Sequence, residues 1–177
     1  MPKDSTPVIL LIDNIERSYH EDFKSNALEI YQALQNSEEF IGYQILNDII
    51  TAEESISYEK YKSSTNLKLI AIHKDAFFHD QPDNNSYSEE DQIYREKLIP
   101  FVANVLDSSN CKIIVYTRTK KLGFNKKILQ EHILTKYGND FDKSKFDTMF
   151  VFNLDAPQNF SNPKNYNGLI GLMIDEL

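Results

Sequence analysis

Apolar residues fall along the chain in two alternating rhythms. Residues 8–12 (VILLI), 67–72 (LKLIAI), 112–116 (KIIVY) and 149–152 (MFVF) are short, almost wholly apolar runs bounded by polar or charged positions. That is the pattern of strands buried on both faces. A shorter run, 43–46, follows Gly42. The segments between the runs carry helical spacing instead. Over 20–40, Phe23, Ala27, Ile30, Tyr31 and Leu34 make one face of an amphipathic helix. Thr51, Ala52, Glu53 and Glu54 have the form of a capping box and open a polar helix to about Lys62. Ser88, Glu89, Glu90 and Asp91 suit a helix start. The helix they open runs to about Leu106, with Ile93, Leu98, Phe101, Val102 and Val105 inward and a kink at Pro100. Residues 125–137, closed by Gly138, and 168–177 complete the helices.

Strand and helix alternate five times. This predicts one domain over residues 1–177, a three-layer α/β/α sandwich with a five-stranded parallel sheet. In such open sheets, ligands bind at the C-terminal edge of the strands. The stretch 67–80 (LKLIAIHKDAFFHD) delivers His73, Lys74, Asp75, His79 and Asp80 to that edge.

Composition narrows the partner more than the fold. Hydrophobic residues at 41% and charged residues at 26% of a 177-residue chain fit a globular domain with a sizeable core. The net charge of −8 argues against general nucleic-acid binding, which needs cations for phosphates. Cys111 is the single cysteine, so no intrachain disulfide and no multi-cysteine metal site is possible. It reads as a small buried hydrophobe and fits a reducing compartment. The N-terminal residues lack a signal-peptide layout, and no early apolar run is long enough to span a bilayer. A cytoplasmic protein without membrane association is expected. There is no Gly-rich phosphate loop and no G-x-S-x-G elbow. No cofactor is expected.

Strand-end residues add a resemblance. VILLIDN ends β-type run 8–12 at Asp13 and Asn14, and LIAIH ends on His73. IIVYT ends on Thr117 and FVFN on Asn153, and a Gly-Tyr pair, Gly42 and Tyr43, precedes the second run. Over roughly residues 8–153 and part of the last helix, this layout resembles the receiver domain of bacterial response regulators. That family has a flavodoxin-like fold with strand order 2-1-3-4-5. The resemblance implies that Asp13 stands where receivers hold one of two Mg²⁺-binding acids, with Asn14 in place of the other. His73 stands at the phospho-acceptor aspartate, Thr117 matches the threonine or serine after the fourth strand, and Asn153 replaces the lysine. Phe150 falls on the aromatic switch position. With acceptor and lysine both replaced, the resemblance is to a degenerate pseudo-receiver.

Two constellations stand apart from it. Asp13, His73, Asp75, His79 and Asp80 can meet at the sheet edge, and imidazole with carboxylate suits Zn²⁺, Mn²⁺ or Fe²⁺. A metal-dependent enzyme, such as a hydrolase using Asp13, His73 and Asp75, is therefore one alternative. The plainer reading is a hydrogen-bonded polar rim. Arg118, Lys120, Lys121, Lys126 and Lys127 follow the fourth strand with no acid between Lys112 and Lys127. They form either a solvated surface or a site for an acidic partner or phosphate. The expected function is a signalling or adaptor domain without phosphorelay chemistry. Its expected contacts are a protein partner or a second copy on the side of the fourth helix, the fifth strand and the last helix. A divergent receiver phosphorylated at Asp75 or His73 is the remaining alternative.

Overall fold

The apolar runs assemble as the strands β1 Val8–Asn14, β2 Gln44–Ile50, β3 Leu67–His73, β4 Lys112–Thr117 and β5 Met149–Asn153. They form one sheet in the order β2-β1-β3-β4-β5, and every neighbouring pair is parallel. The computed structural model describes residues 6–14, 26–50, 66–77, 94–117, 124–154 and 166–177. Its α-helices are α1 Asn26–Asn36, α2 Ile99–Ser108, α3 Lys126–Tyr137 and α4 Tyr166–Asp175. The predicted helix over 51–62, the helix start at 88–91, the loop 81–87 and the proline-containing stretch around Pro157 and Pro163 lie outside the described residues.

Alternation along the strands sorts the core into two halves. Leu10, Ile12, Ile70, Ile72, Ile113, Val115 and Met149 point to one face, where Leu98, Val102, Leu106, Leu129 and Ile133 cover them. Ile9, Leu11, Leu69, Ala71, Ile114 and Tyr116 point to the other, covered by Ile30 and Leu34 of α1 and Leu169 and Met173 of α4. Helices on both faces make the sandwich a three-layer one. The central strands are mostly apolar because both of their faces are covered by helices.

Three local departures from the pattern have physical causes. β2 runs on to Ile50, past the polar Asn47 and Asp48 where the apolar run stops. As an edge strand it tolerates polar positions, and β1 supplies partners along its whole length, from Val8↔Gln44 to Asn14↔Ile50. The helix around Pro100 does not simply kink. A π-helical turn, Tyr94–Leu98, hands over to α2 at Ile99, which puts Pro100 in the first turn of the α-helical segment. Its missing N–H falls where the π-helical turn ends, and the Arg95 carbonyl five positions back accepts from Lys136 Nζ at 3.0 Å. In β3, the register to β1 skips from Leu67 to Leu69, and the unpaired Lys68 is the strand's one exposed residue. The bulge gives a lysine a route to solvent from a buried strand.

Helix ends follow the expected chemistry. Asn125 caps α3 by accepting the Ile128 N–H at 3.1 Å, and Gly138 closes it at φ 75°. Asp142 accepts from the Ser144 N–H at 2.9 Å and hydroxyl at 2.7 Å, which holds its carboxyl below the usual range. The expected apolar helix at the C-terminus is α4. Leu169 and Met173 are buried, while Ile170, Leu172 and Ile174 are half-buried against the same core. Lys112 pairs with Glu176 at 3.1 Å and pins the end of this segment. No helix among the described residues is long and apolar enough to cross a membrane.

Candidate functional site

The C-terminal edge of the sheet carries a buried polar row. Asp13 follows Ile9 and Leu11 on one face of β1, His73 follows Leu69 and Ala71 on β3, and Tyr116 follows Ile114 on β4. The register pairs Ile12 with Ile72, one position before Asp13 and His73, and His73 with Tyr116, so the three polar residues lie side by side across the sheet. Asp13 is 0% exposed and His73 3%. The Tyr116 hydroxyl donates to Asp13 Oδ2 at 2.6 Å, spanning β3 between them. The His73 ring stands edge-on to the Tyr116 ring, centroids 5.0 Å apart and planes at 86°. That is a favourable aromatic geometry.

The backbone fixes the state of His73. The Asp75 N–H donates to His73 Nδ1 at 3.0 Å. A nitrogen that accepts this bond carries no proton, so the ring is the neutral Nε2–H tautomer. The Asp75 carboxylate, 3.9 Å from the same nitrogen, faces an unprotonated atom rather than an ion-pair partner. The bond is built into the turn after β3, where the Ala76 N–H also returns to the His73 carbonyl at 3.0 Å. The Lys74 N–H reaches the Tyr116 carbonyl at 2.8 Å and extends the ladder past the strand end.

The six residues expected to share one pocket divide. Asp13 and His73 come together through Tyr116. Thr117 and Asn153 pair in register, one position beyond Tyr116 and Phe152, so alternation sends them to the opposite face. Thr117 is buried there. Asn14 ends β1. Asp75 lies in the turn, half-exposed, with Lys74 Nζ at 3.5 Å from its Oδ1. His79 and Asp80 lie outside the described residues, and among those that are described no three His, Cys, Asp or Glu side chains gather as a metal-holding set.

Of the basic tract, Arg118, Lys120 and Lys121 are outside the described residues. Lys126 is brought to Phe150, its Nζ 5.3 Å from the ring centroid, so these two predicted binding residues do meet. Lys127 is exposed and pairs loosely with Glu131 at 3.9 Å, a contact of little energetic weight.

A second cluster sits on the other face. Lys74 Nζ lies 5.7 Å from both the Tyr94 and Phe124 ring centroids. Tyr94 in turn shares a 3.0 Å hydrogen bond between its hydroxyl and His132 Nδ1. Sequence reasoning passed over Tyr116, Tyr94, Phe124 and His132. Tyr116 had a signal: a tyrosine closing the apolar run of a central strand needs a hydrogen-bond partner. The other three had none, because helix and loop aromatics are ordinary core material. Comparison of the chain with protein-family models, with curated proteins and with solved structures finds no match.

Proposed function

We propose that the chain is a receiver-like signalling or adaptor domain that works through protein contacts and carries no phosphorelay. The strand order β2-β1-β3-β4-β5 is the order of that fold. One observation carries the reading further. The acceptor position is a buried imidazole whose Nδ1 is held by the Asp75 N–H, and the acid left from the metal-binding pair is held by the Tyr116 hydroxyl. Groups that a receiver turns towards Mg²⁺ and phosphate are here bonded to the protein itself. A cytoplasmic location goes with this reading.

Acetyl phosphate or beryllofluoride with Mg²⁺ should therefore leave no stable adduct, checked by intact mass and by amide spectra. The half-exposed Asp75 beside Lys74 is the residue that would contradict this. A gain of one phosphate, abolished by Asp75→Ala, would make the chain a working receiver.

The contact surface is the side of α3, β5 and α4. It offers the start of α3 with Lys126 on Phe150, and a last helix whose Ile170, Leu172 and Ile174 keep part of their surface. A second copy or an acidic partner fits it. Charge reversal at Lys120, Lys121 and Lys126 should weaken this association, and so should added salt, since exposed charges are screened over about 8–10 Å. Light scattering and pull-down from the native host read the outcome. A strict monomer with partner binding indifferent to those lysines removes the surface from the proposal.

A further inference from the structure

The opposite end of the sheet holds a cavity that the receiver-like reading does not use. α2 leads into the start of β4, and the 3₁₀ turn Gly138–Asp140 after α3 leads towards the start of β5. Between the length of α2 and the end of α3 lies an open cavity of about 530 Å³. That is within the usual ~300–1,000 Å³ of small-molecule sites. Pro100, Asn104 and Asp107 of α2 form one wall, and Tyr137, Asp140 and Phe141 form the other.

The walls combine two kinds of group. The aromatic part is layered: the Tyr137 ring, 41% of the residue exposed, lies 6.3 Å from Phe141 at a tilt of 42°. Phe141 is stacked at 5.2 Å and 27° on the buried Phe146. The charged part is uniformly negative. Asp107 and Asp140 are exposed carboxylates, and no lysine, arginine or histidine among the described residues lines the cavity. The helix ends add to the field. α3 terminates here, the α2 wall runs from Pro100 in its first turn to Asp107 in its last, and a helix C-terminus carries partial negative charge. α2 has no basic residue in its last turn, and Lys136 of α3 gives its ammonium to the Arg95 carbonyl at 3.0 Å.

We propose that this cavity binds an organic cation, a planar amidinium or guanidinium group on an apolar body. The two carboxylates would take the charge, and Tyr137 with Phe141 the body. Ring faces attract cations, and a planar delocalised cation stacks on them better than a compact ammonium does. The open mouth and exposed carboxylates mean modest affinity, because such charge pairs are partly screened.

The test uses the full chain and a matched pair of probes, benzamidine and its neutral isostere benzamide, titrated by calorimetry with Tyr137 followed by NMR. Benzamidine should saturate one site and shift the Tyr137 resonances, with benzamide much weaker. Asp107→Asn and Asp140→Asn should each weaken benzamidine about two- to fivefold, the range that an exposed charge pair supplies. Together they should weaken it more than either alone. Should a variant melt earlier, the unmodified chain still decides: raising the salt should weaken benzamidine and leave benzamide unchanged. No saturable binding at millimolar probe, equal binding of benzamide, or benzamidine binding indifferent to both substitutions or to salt overturns the proposal. None of these outcomes touches the sheet-edge reading, which the phosphorylation experiment tests alone.

Discussion

Cys111 in the folded protein should be alkylated about a thousandfold more slowly than a cysteine in the same chain unfolded in urea. The thiolate is the reacting species. Burial pushes the Cys111 thiol from 9.0 up to about 12, only partly opposed by a backbone hydrogen bond with Ile70 and by the nearby Lys68 charge. The three-unit difference lowers the thiolate fraction near pH 8 by about three powers of ten. Restricted access slows the alkylation itself further, since Cys111 is 2% exposed. Its Sγ–H donates to the Lys112 carbonyl at 3.2 Å. The same shift links to stability, and its sign is fixed. A thiol with a raised folded value stays protonated in the native state while the unfolded chain deprotonates above pH 9. Its contribution to stability is thus complete below pH 9 and is lost between pH 9 and about pH 12, at up to about 1.4 kcal/mol per pH unit. Denaturant titrations at pH 8 and 10, compared with Cys111→Ala, isolate this slope from the lysines and tyrosines that titrate alongside. Iodoacetamide labelling of the native protein at the unfolded rate would show that Cys111 is not in the environment described.

Tyr116→Phe should cost about 1–3 kcal/mol, the penalty for leaving a buried acceptor without one of its donors. The acceptor is Asp13 Oδ2, in a position with no solvent to replace the hydroxyl. For a chain of this size the loss lowers the melting temperature by several degrees, at about 2–4 °C per kcal/mol. The ring is retained, so the packing against His73 is kept and the polar contact alone is removed. A double-mutant cycle with Asp13→Asn should return a coupling of about 0.5–3 kcal/mol between the two positions. Tyr31→Phe is the control. Its hydroxyl accepts from the exposed Gln35 amide at 2.7 Å, and its removal should stay within about 0.5 kcal/mol. Equal, small effects of Tyr116→Phe and Tyr31→Phe would mean that the Asp13–Tyr116 bond does not hold the strand ends together.

The parts of the fold legible in the sequence are those set by burial on both faces. VILLI, LKLIAI and KIIVY are nearly all apolar, so their place inside the sheet follows from composition, although the strands run on to the polar Asn14, His73 and Thr117. β2 was harder, because an edge strand needs hydrogen bonds more than apolar residues, and Asn47 and Asp48 lie inside it. The π-helical turn before Pro100 was invisible, since proline demands a helix start nearby but does not dictate how the preceding turn is wound. At the site, Asp13 and His73 stood out as polar residues ending apolar runs. Tyr116 signalled only the need for a partner, because Asp13 is 103 positions away and only the strand order brings the two level. The cavity between α2 and α3 is of the same kind: Asp107 and Asp140 come to line one cavity through the packing of α2 against the end of α3, which no local pattern encodes.

The pairing of β1 also governs how the chain reaches this fold. Its two neighbours are distant, with Val8 opposite Gln44 on one side and Ile9 opposite Leu69 on the other. Every contact in the sheet therefore closes a long loop, and the entropy of closure must be met before any ladder bond forms. Such topologies fold slowly compared with hairpins or bundles. During synthesis VILLI emerges first among the strands, and its β3 neighbour is made only after some sixty further residues. Until then one whole edge of an apolar strand offers unpaired N–H and C=O groups to any other extended chain. In the finished sheet the outer strands are β2 and β5, and on β2 the polar Gln44 and Asn47 are exposed.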